Sequence, residues 1–389
     1  MMNMLLKKIN YLKSLVRIEL CNIKVTIYKC LFRFAKVQKD KIVLVNESYN
    51  CNPKAIAEEI LRRKLNYRLF WLSDYEIKDI PAQIVLCRKT GIKGAYHLAT
   101  SKIIIINSKG DFIRYYKKKE QYLIQTFHGS LTMKYVEAEC ENKLPPFYVK
   151  NSKKDSAITD LALSNSEWMT NQLHNAIWYN GEVFESGFPR NDIFFGISEE
   201  RKKQIRDSIG INLGIKVVTY APTFRDNGDV SCYELDPNAI IKALEEKTHE
   251  KWILLVRAHP NLSGNLLPFD FNDRIINVSF YPDGQEILLI SDVLISDYSS
   301  IMMDFFLMKR PILLYVKDEL QYKELRGLRP EYYQVPFPHC KDNDELVKSI
   351  KEIDMDSPYG DEFSKIYGVK DDGHASERVV DRIVYEMSN

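Results

Sequence analysis

From residue 41 onward the sequence alternates short apolar runs of strand length with amphipathic stretches of helix length. Helical patterns such as PKAIAEEILRRKL lie between several of the runs. This alternation predicts a parallel sheet covered by helices on both faces. The strand-like runs of the first series are KIVLVNE (41–47), YRLFWLS (67–73), QIVLC (83–87), KIIIIN (102–107), YLIQTFHG (122–129), DLALSNS (160–166) and EVFESG (182–187).

A second series of strand-like runs begins at residue 216. A charged segment, ISEERKKQIRDSIGINLG, separates the two series and has the pattern of a helix and linker. Because 389 residues suit two domains of moderate size, we predict two doubly wound α/β domains that face each other across a cleft, residues 40–205 and residues 206–389. The runs of the second series are KVVTYAPT (216–223), KWILLVRAHP (251–260), RIINVSF (274–280), DVLISD (292–297) and PILLYV (311–316).

The first 39 residues differ from the rest of the chain in charge. They contain nine Lys or Arg residues and one acidic residue, Glu19. Apolar residues recur in this segment at steps of three and four, which predicts an amphipathic helix. These residues are Ile9, Leu12, Val16, Leu20, Ile23, Ile27, Leu31 and Phe34.

Two interpretations of this helix are open from the sequence. Its apolar face could lie on an anionic inner membrane leaflet, with the lysines reaching toward the lipid headgroups. Alternatively, the same face could pack on the body of the protein or on a partner chain. No run in the sequence is long and apolar enough to span a bilayer.

Composition and missing motifs argue against several functional classes. The net charge of +2 does not favour nucleic acid as a partner. Seven scattered cysteines without a CxxC pair indicate neither a disulfide framework nor a zinc site, and they suit the reducing cytosol. The absence of GxGxxG after the first strand, and of P-loop, GxSxG and HExxH motifs, argues against dehydrogenases, P-loop NTPases, α/β-hydrolases and zincins. We therefore predict no metal and no cofactor.

Polar and charged residues follow several predicted strands of both series. Ligands of such sheets bind beyond the carboxyl ends of the strands, so these residues should meet in the cleft. Cations, histidines and hydroxyls together suit a phosphorylated ligand with more than one negative charge. The residues are His128, Gly129 and Ser130 in the first series, and Thr223, Arg225, Arg257, His259, Asp297, Ser299, Ser300 and Asp304 in the second.

Each of these features also has a structural interpretation. In the stretch VLISDYSSIMMDFFLMKRPILLY (293–315), the serines could bind an anion at the start of a helix, or one of them could simply cap that helix. Arg225 could pair with Asp226 or Asp192 and do nothing more. Each histidine alone is compatible with a structural role. A structural account needs a separate reason for each residue, so their joint placement favours a binding site.

Five motifs in this order and spacing resemble the CDP-glycerol glycerophosphotransferase family, which includes primases and polymerases of teichoic acid and related capsule enzymes. The resemblance covers about residues 100–345 and implies a GT-B-like fold, in which two Rossmann-like domains face each other and the second holds most of the donor nucleotide. The motifs are TFHGSLTMK, GFPRND (187–192), YAPTFRD (220–226), RAHP (257–260) and ISDYSSIMMDFFLMKRPILLY.

The resemblance implies roles for individual residues. His128 would match the general base that acts on the acceptor hydroxyl, and His259 the second functional histidine, near the donor diphosphate. Ser299 and Ser300 would hold a donor phosphate, and Asp304 would face the ribose or the polyol. Phosphate contacts by Arg225 and Arg257 are our inference from charge and placement. Residues expected to support the site are Gly129, Arg190, Asp192, Thr223 and Asp297.

The activity implied is transfer of a polyol phosphate, with glycerol phosphate as the expected group, from a CDP-polyol to a hydroxyl of a lipid-linked or glycan acceptor. CMP would leave, and the enzyme would work in the cytoplasm at the inner face of the cell membrane. One alternative is a GT-B glycosyltransferase that uses a nucleotide sugar. Another is a non-catalytic peripheral membrane protein with the same fold.

Overall fold

The computed structural model describes residues 23–28, 30–110, 117–131, 133–225, 230–258, 267–356, 359 and 362–389. Within these residues the strands form two separate parallel sheets. The alternation of strands and helices in the sequence therefore predicted the α/β class correctly.

In the described part of the chain, the first sheet has seven strands in the order β3-β2-β1-β4-β5-β6-β7. Its central strands are apolar on both faces because helices cover both. Ile42 to Val45 of β1 and Ile103 to Ile106 of β4 are all fully buried. The strands are β1 Gln38–Val45, β2 Arg68–Ser73, β3 Ile84–Arg88, β4 Ser101–Ile106, β5 Tyr122–Gln125, β6 Leu161–Leu163 and β7 Glu182–Phe184.

The second sheet has the order β10-β9-β8-β11-β12-β13 among the described residues. Strands β8 to β12 correspond to the runs predicted from the sequence. The two-residue strand β13 was not predicted, since it is too short to show a periodic pattern. The strands are β8 Lys216–Tyr220, β9 Trp252–Val256, β10 Ile275–Asn277, β11 Val293–Ser296, β12 Ile312–Tyr315 and β13 His339–Cys340.

Helices connect the strands and cover the sheets. In chain order they are α1 Cys51–Arg62, α2 Ile92–Thr100, α3 Pro146–Ile158, α4 Glu167–Ala176, α5 Ile193–Gly196, α6 Glu199–Ser208, α7 Pro237–Thr248, α8 Gly284–Leu289, α9 Ile301–Phe306, α10 Glu319–Leu325, α11 Asn343–Glu352, α12 Glu362–Tyr367 and α13 Ala375–Ser388.

Each sheet has a position where the strand order reverses. In the first sheet this position lies between β1 and β4, and in the second between β8 and β11. Ligands of doubly wound sheets bind at such positions, beyond the carboxyl ends of the strands. The loops that follow the strands at or next to these positions, β4, β5, β8, β9 and β11, therefore carry the residues to consider for binding.

The N-terminal helix is described from residue 23, so its predicted apolar positions before that residue lie outside the described part. Residues 23–28 and 30–32 are helical. Val25, Tyr28 and Phe32 pack against the first domain. The four described positions of the predicted apolar face are exposed to solvent, with exposed fractions of 56%, 58%, 60% and 88% at Ile23, Ile27, Leu31 and Phe34. We found no helix in the described ranges that is long and apolar enough to cross a membrane.

The C-terminal helix α13 returns to the first domain, although the sequence analysis grouped it with the second. Val379, Val380 and Ile383 are fully buried and belong to the same core as Ile42 and Leu44 of β1. The first domain therefore depends on both ends of the chain.

Replacing Ile383 by Ala should destabilise the protein by about 2–5 kcal/mol, because it removes buried methyl groups and leaves a cavity in the first core. Urea unfolding monitored by circular dichroism measures the change. Tyr385→Ala is a matched control on the same helix, since Tyr385 is 62% exposed. Equal losses in the two variants would contradict the packing of α13 described above.

Candidate active site

A cavity of about 560 Å³ lies between the two domains. Its walls combine side chains that follow β5 in the first domain with side chains that follow β8, β9 and β11 in the second. Residues predicted from the sequence that line it are His128, Arg190, Thr223, Arg257, Ser299, Ser300 and Asp304. Lys134, Gln285, Tyr322 and Arg326 also line it.

The turn before His128 is held in an unusual backbone conformation. Phe127 has a φ of +53°, in the left-handed region that residues with a Cβ seldom adopt. Asn52 of α1 stabilises this turn, because its amide donates to the carbonyls of Thr126 and Phe127 at 3.0 and 2.8 Å. The side-chain oxygen of Gln125 accepts from the Phe127 N–H at 3.0 Å. His128 follows with its side chain exposed toward the cavity.

The orientation of the His128 ring determines its chemistry. Its Nδ1 lies 3.2 Å from the carbonyl oxygen of Asn107, which follows β4. A carbonyl oxygen can only accept, so Nδ1 carries the hydrogen in the neutral ring. The lone pair that can accept a proton is then on Nε2. This is the arrangement that a general base needs.

Asp304 belongs to a buried network across the domain interface. Its side chain is 2% exposed and pairs with Arg190 at 2.5 Å. It also accepts from the side-chain amides of Asn191 and Gln285, each at 3.2 Å. The sequence analysis expected Asp304 to face the ribose or the polyol, but these partners occupy its carboxylate.

Arg190 connects that carboxylate to the turn that carries His128. Its second guanidinium nitrogen donates to the backbone carbonyl of His128. Burial alone would lower the pKa of Arg190, but the charge of Asp304 together with the contacts to Cys51 and Asp304 raises it above its usual value. Arg190 therefore stays charged and fixes the position of His128 relative to the second domain.

Arg225 has a similar structural environment and lies behind the cavity wall. Its side chain is 4% exposed and pairs with Asp297 at 2.9 Å and with Asp318 at 2.6 Å. Asp297 in turn accepts from the backbone N–H and the hydroxyl of Thr223. These contacts fix the loop after β8 against the loop after β11, and they leave the Arg225 charge neutralised by two carboxylates.

Asp192, which the sequence offered as a partner for Arg225, caps the C-terminal helix instead. Its carboxylate accepts from the N–H groups of Ala375 and Ser376 at 3.0 and 2.7 Å. Asp226, the other partner considered, and His259 lie outside the described residues. The sequence-based role of His259 near the donor diphosphate stays a prediction.

Arg257 of the second domain lines the cavity and is held by backbone carbonyls. Its guanidinium donates to the backbone carbonyls of Val278 and Tyr281 at 3.1 and 3.0 Å. Burial lowers the pKa of Arg257, which means that its charge is poorly solvated. Two carbonyl dipoles do not neutralise a full charge, so an anion in the cavity would gain from contact with it.

The two serines have separate positions. Ser299 Oγ accepts from the backbone N–H of Ile301, the first residue of α9, at 3.3 Å, whereas the N-cap residue Ser300 makes no side-chain cap hydrogen bond. The hydroxyl of Ser300 faces the other domain, where a Cβ at Gly129 would lie only 2.8 Å from it. Glycine at position 129 therefore permits the close approach of the His128 turn to the donor side.

A second buried carboxylate, Asp371, joins the interface network and was not found from the sequence. It accepts from the backbone N–H of Phe188 at 2.9 Å and from the amides of Asn191 and Asn165, each at 3.1 Å. Asn191 also donates to Asp304, so two carboxylates share one amide. Burial, together with the neighbouring charge of Asp304, raises the pKa of Asp371 to about 7.

Other positioning residues were also missed, although two left a signal in the sequence. Asn52 opens the first predicted helix pattern, and Asn107 is the polar residue at the end of the KIIIIN run. Asp318 and Gln285 gave no comparable signal, because their contacts join segments far apart in the chain. Among the described residues, no group of three or more His, Cys, Asp or Glu side chains could hold a metal.

Comparison with known proteins gives a family match over nearly the whole chain. Residues 27–385 match the model of the family described as CDP-Glycerol:Poly(glycerophosphate) glycerophosphotransferase. A teichoic acid poly(glycerol phosphate) polymerase of Bacillus spizizenii is 28% identical over 96% of this chain and 100% of its own length. A teichoic acid glycerol-phosphate transferase of Staphylococcus aureus is 29% identical over 87% of this chain and 90% of its own length.

A solved structure of the wall teichoic acid polymerase TagF superposes with a TM-score of 0.81 at 26% identity, covering 100% of this chain and 98% of that chain. Some curated relatives are longer proteins. The chain spans 50%, 58% and 49% of three polymerases, from Bacillus subtilis, Bacillus spizizenii and Staphylococcus epidermidis.

Asp371 should make stability depend on pH. Its pKa is about 7 in the folded protein and near 3.8 in an unfolded chain, so the folded state binds the proton more tightly. The stabilising contribution of the protonated group is complete below pH 3.8 and is lost as the pH rises to about 7, by up to about 4 kcal/mol. Urea unfolding of wild type and Asp371→Asn at a series of pH values between 4 and 8 measures this.

The difference in unfolding free energy between the two proteins should shift with rising pH in favour of Asp371→Asn. A pH-independent difference in unfolding free energy that arises from altered hydrogen bonds does not change how the difference between the two proteins varies with pH. The side-chain oxygen of Asn165 has no partner among the described residues. Rotation of that amide would let the oxygen accept from protonated Asp371. Parallel pH curves for the two proteins would contradict the assignment.

Proposed function

The chain belongs to the CDP-glycerol:poly(glycerophosphate) glycerophosphotransferase family, and from that premise we propose how its residues carry out the reaction. It is a phosphotransferase that transfers glycerol phosphate from CDP-glycerol in teichoic acid synthesis. The observation that carries the mechanism is the shared cavity, to which the first domain contributes His128 and the second contributes Arg257 and Ser300.

His128 acts as the general base. An acceptor hydroxyl gives its proton to Nε2 while its oxygen attacks the phosphorus that bears glycerol. A new phosphodiester bond forms, the bond between that phosphorus and the oxygen bridging to CMP breaks, and CMP leaves with the electron pair. Hydrogen bonding of Nδ1 to the Asn107 carbonyl at 3.2 Å keeps the ring in the required tautomer and orientation.

The donor side stabilises negative charge. Phosphoryl transfer spreads charge over the phosphoryl oxygens and the leaving group, so fixed positive groups directed at them supply much of the acceleration. Arg257 provides a poorly solvated cation, and the Ser300 hydroxyl provides a hydrogen-bond donor close to the His128 turn. Ser299 accepts from the first N–H of α9. His259, two residues after Arg257, is the remaining candidate for contact with the diphosphate.

Arg225 and Asp304 act through other residues. Arg225 fixes Thr223 and the loop after β8 through Asp297. Asp304 holds Arg190, which holds the carbonyl of His128. Their substitution should therefore impair the geometry of the cavity.

The acceptor in this proposal is a hydroxyl at the end of a lipid-linked or glycan chain, and the donated group is glycerol phosphate. The names of the relatives include glycerol-phosphate and ribitol-phosphate enzymes. Direct comparison of CDP-glycerol and CDP-ribitol, with nucleotide sugars as controls for a glycosyltransferase, tests the choice of donor through release of CMP or another nucleotide.

Replacing His128 by Ala should lower kcat by roughly 10²- to 10⁴-fold, since that is the usual contribution of a positioned general base. The affinity for CDP-glycerol should stay close to that of wild type, because the donor contacts come from other strands. Acceptor-dependent CMP release measures kcat, and calorimetric titration with CDP-glycerol measures binding.

Arg257→Gln provides the matched contrast, since it removes a donor contact and leaves the base in place. Its main effect should be weaker binding of CDP-glycerol. Wild-type turnover by purified, folded His128→Ala would refute the assignment of the base. Equal loss of donor binding in both variants would show that His128 belongs to the donor site instead.

We also propose that the N-terminal helix attaches the enzyme to the inner face of the cell membrane. Val25, Tyr28 and Phe32 hold one side of the helix on the first domain, and Lys118 donates to the carbonyls of Phe32 and Ala99 at 3.3 and 2.8 Å. The opposite side exposes four apolar side chains between basic residues. That combination suits a lipid surface with negative charge, where the enzyme would meet a lipid-linked acceptor.

A double substitution, Ile27→Glu with Leu31→Glu, should reduce binding to phosphatidylglycerol vesicles by tenfold or more, because both side chains would leave the apolar phase and each new charge is repelled by the anionic lipid. Vesicle flotation at low and high salt measures the bound fraction.

The control is Leu213→Glu with Ile366→Glu, which changes the charge equally at exposed positions away from this helix (66% and 70% exposed). Its binding should fall much less. If the helix double variant floats with vesicles as wild type does, the helix is not the attachment site.

A further inference from the structure

The segment that follows His128 is held by the donor domain, although it belongs to the first domain by sequence. Tyr135 donates its backbone N–H to the carbonyl of Gly327 at 3.2 Å, and Arg329 donates its backbone N–H to the carbonyl of Met133 at 3.0 Å. Lys134 and Leu328 form an antiparallel bridge between these contacts. The two segments pass close to each other here, since a Cβ added at Gly327 would lie 2.3 Å from the ring of Tyr135.

The side chain of Arg329 is at the centre of this contact. It is 3% exposed, and its guanidinium donates to the carbonyl of Leu131 at 2.6 Å and to the carboxylate of Glu139 at 2.5 Å. The same group lies over the ring of Trp168, 5.5 Å from its centroid. One planar guanidinium thus holds a backbone carbonyl, a carboxylate and an aromatic ring, all from the first domain.

These contacts act on both ends of the segment. Leu131 is three residues after His128, and Glu139 accepts from the backbone N–H of Val136 at 3.0 Å at the start of the helical turn Glu137–Lys143. The guanidinium of Arg329 lies outside the residues that line the cavity, whereas Lys134, between the two contacts, lines it. Arg329 can therefore affect the reaction through the placement of this segment, without touching the substrate.

We propose that Arg329 is a positioning residue for catalysis: it fixes residues 131 and 133–139 to the donor domain and so sets the distance between His128 and the reacting phosphorus. This inference rests on the proposed role of His128 as general base. In this proposal a buried arginine of the donor domain aligns the segment that follows the general base.

The chemistry of the contact favours arginine over lysine. A guanidinium has five N–H donors in one plane and can bond a carbonyl and a carboxylate while its face lies on a ring. A lysine ammonium at the same position keeps the charge but reaches fewer of these groups at once. Displacement of a reacting group by about 1 Å can cost roughly a hundredfold in rate, so loosening the segment should be visible in kcat.

The experiment compares wild type, Arg329→Met, Arg329→Lys and Glu139→Gln by kcat, by KM for the acceptor, by calorimetric affinity for CDP-glycerol and by melting temperature. Arg329→Met should lower kcat about a hundredfold while the affinity for CDP-glycerol changes less than about twofold. Arg329→Lys should recover part of the loss, and Glu139→Gln should lower kcat about tenfold. A loss in kcat with donor affinity retained is the signature that a purely structural role would not give.

Arg382→Met is the matched control, because Arg382 also bonds two carboxylates, Glu182 and Glu386, and lies near aromatic rings, but far from the cavity. It should change melting temperature with little change in kcat of the folded protein. If Arg329→Met does not fold, Arg329→Lys and Glu139→Gln decide the question, since each keeps most of the buried contact.

The inference is overturned if the folded Arg329 and Glu139 variants keep kcat within about threefold of wild type, or if they lose donor affinity in parallel with kcat. Failure of the proposed function is a different result. In that case the wild-type protein itself would release no CMP from CDP-glycerol in the presence of acceptor, whatever residue stands at position 329.

Discussion

The buried ion pair between Arg190 and Asp304 is the interaction on which the geometry of the cavity depends. It joins the two domains, and the same arginine holds the carbonyl of His128. Removing one partner of such a pair leaves an uncompensated buried charge, which usually costs several kcal/mol. The position of the His128 turn relative to the second domain is therefore determined by the fold itself.

A second set of contacts holds the His128 turn within the first domain. Asn52 bonds the two carbonyls that precede His128, and its side-chain oxygen accepts from the backbone N–H of Arg190 at 3.0 Å. The backbone carbonyl of Asn107 orients the imidazole ring. The neutral side-chain amide of Asn52 uses both its donor and its acceptor group, so the left-handed conformation at Phe127 is stabilised without another buried charge.

The sequence contained enough information to predict the α/β class, the strands other than β13, and several residues that line the cavity. Buried parallel strands are locally apolar, and the carboxyl ends of β5, β8, β9 and β11 carry polar residues that the topology brings together. The roles of Arg225 and Asp304 could not be read in the same way. Whether a strand-end arginine or aspartate faces a ligand or a buried partner depends on residues far away in the chain, here Asp318 and Gln285.

Similar reasons explain other differences between the predicted and the observed structure. The C-terminal helix has an amphipathic pattern, and such a pattern indicates that a helix packs on a domain but does not indicate which domain. Asp192 lies in a motif of the family, yet its carboxylate caps that helix. A residue can thus belong to a recognisable motif because it shapes the site from a distance.

Two arginines hold the segment around His128 from opposite sides. Arg190 bonds the carbonyl of His128, and Arg329 bonds the carbonyl of Leu131, three residues later. Both guanidinium groups are buried and paired with carboxylates, one from each domain. Moving His128 away from the donor side would require both ion pairs to break or both charges to move together. Since preorganised groups contribute most when they need little rearrangement during the reaction, this double attachment holds His128 in the cavity that Arg257 and Ser300 of the second domain also line.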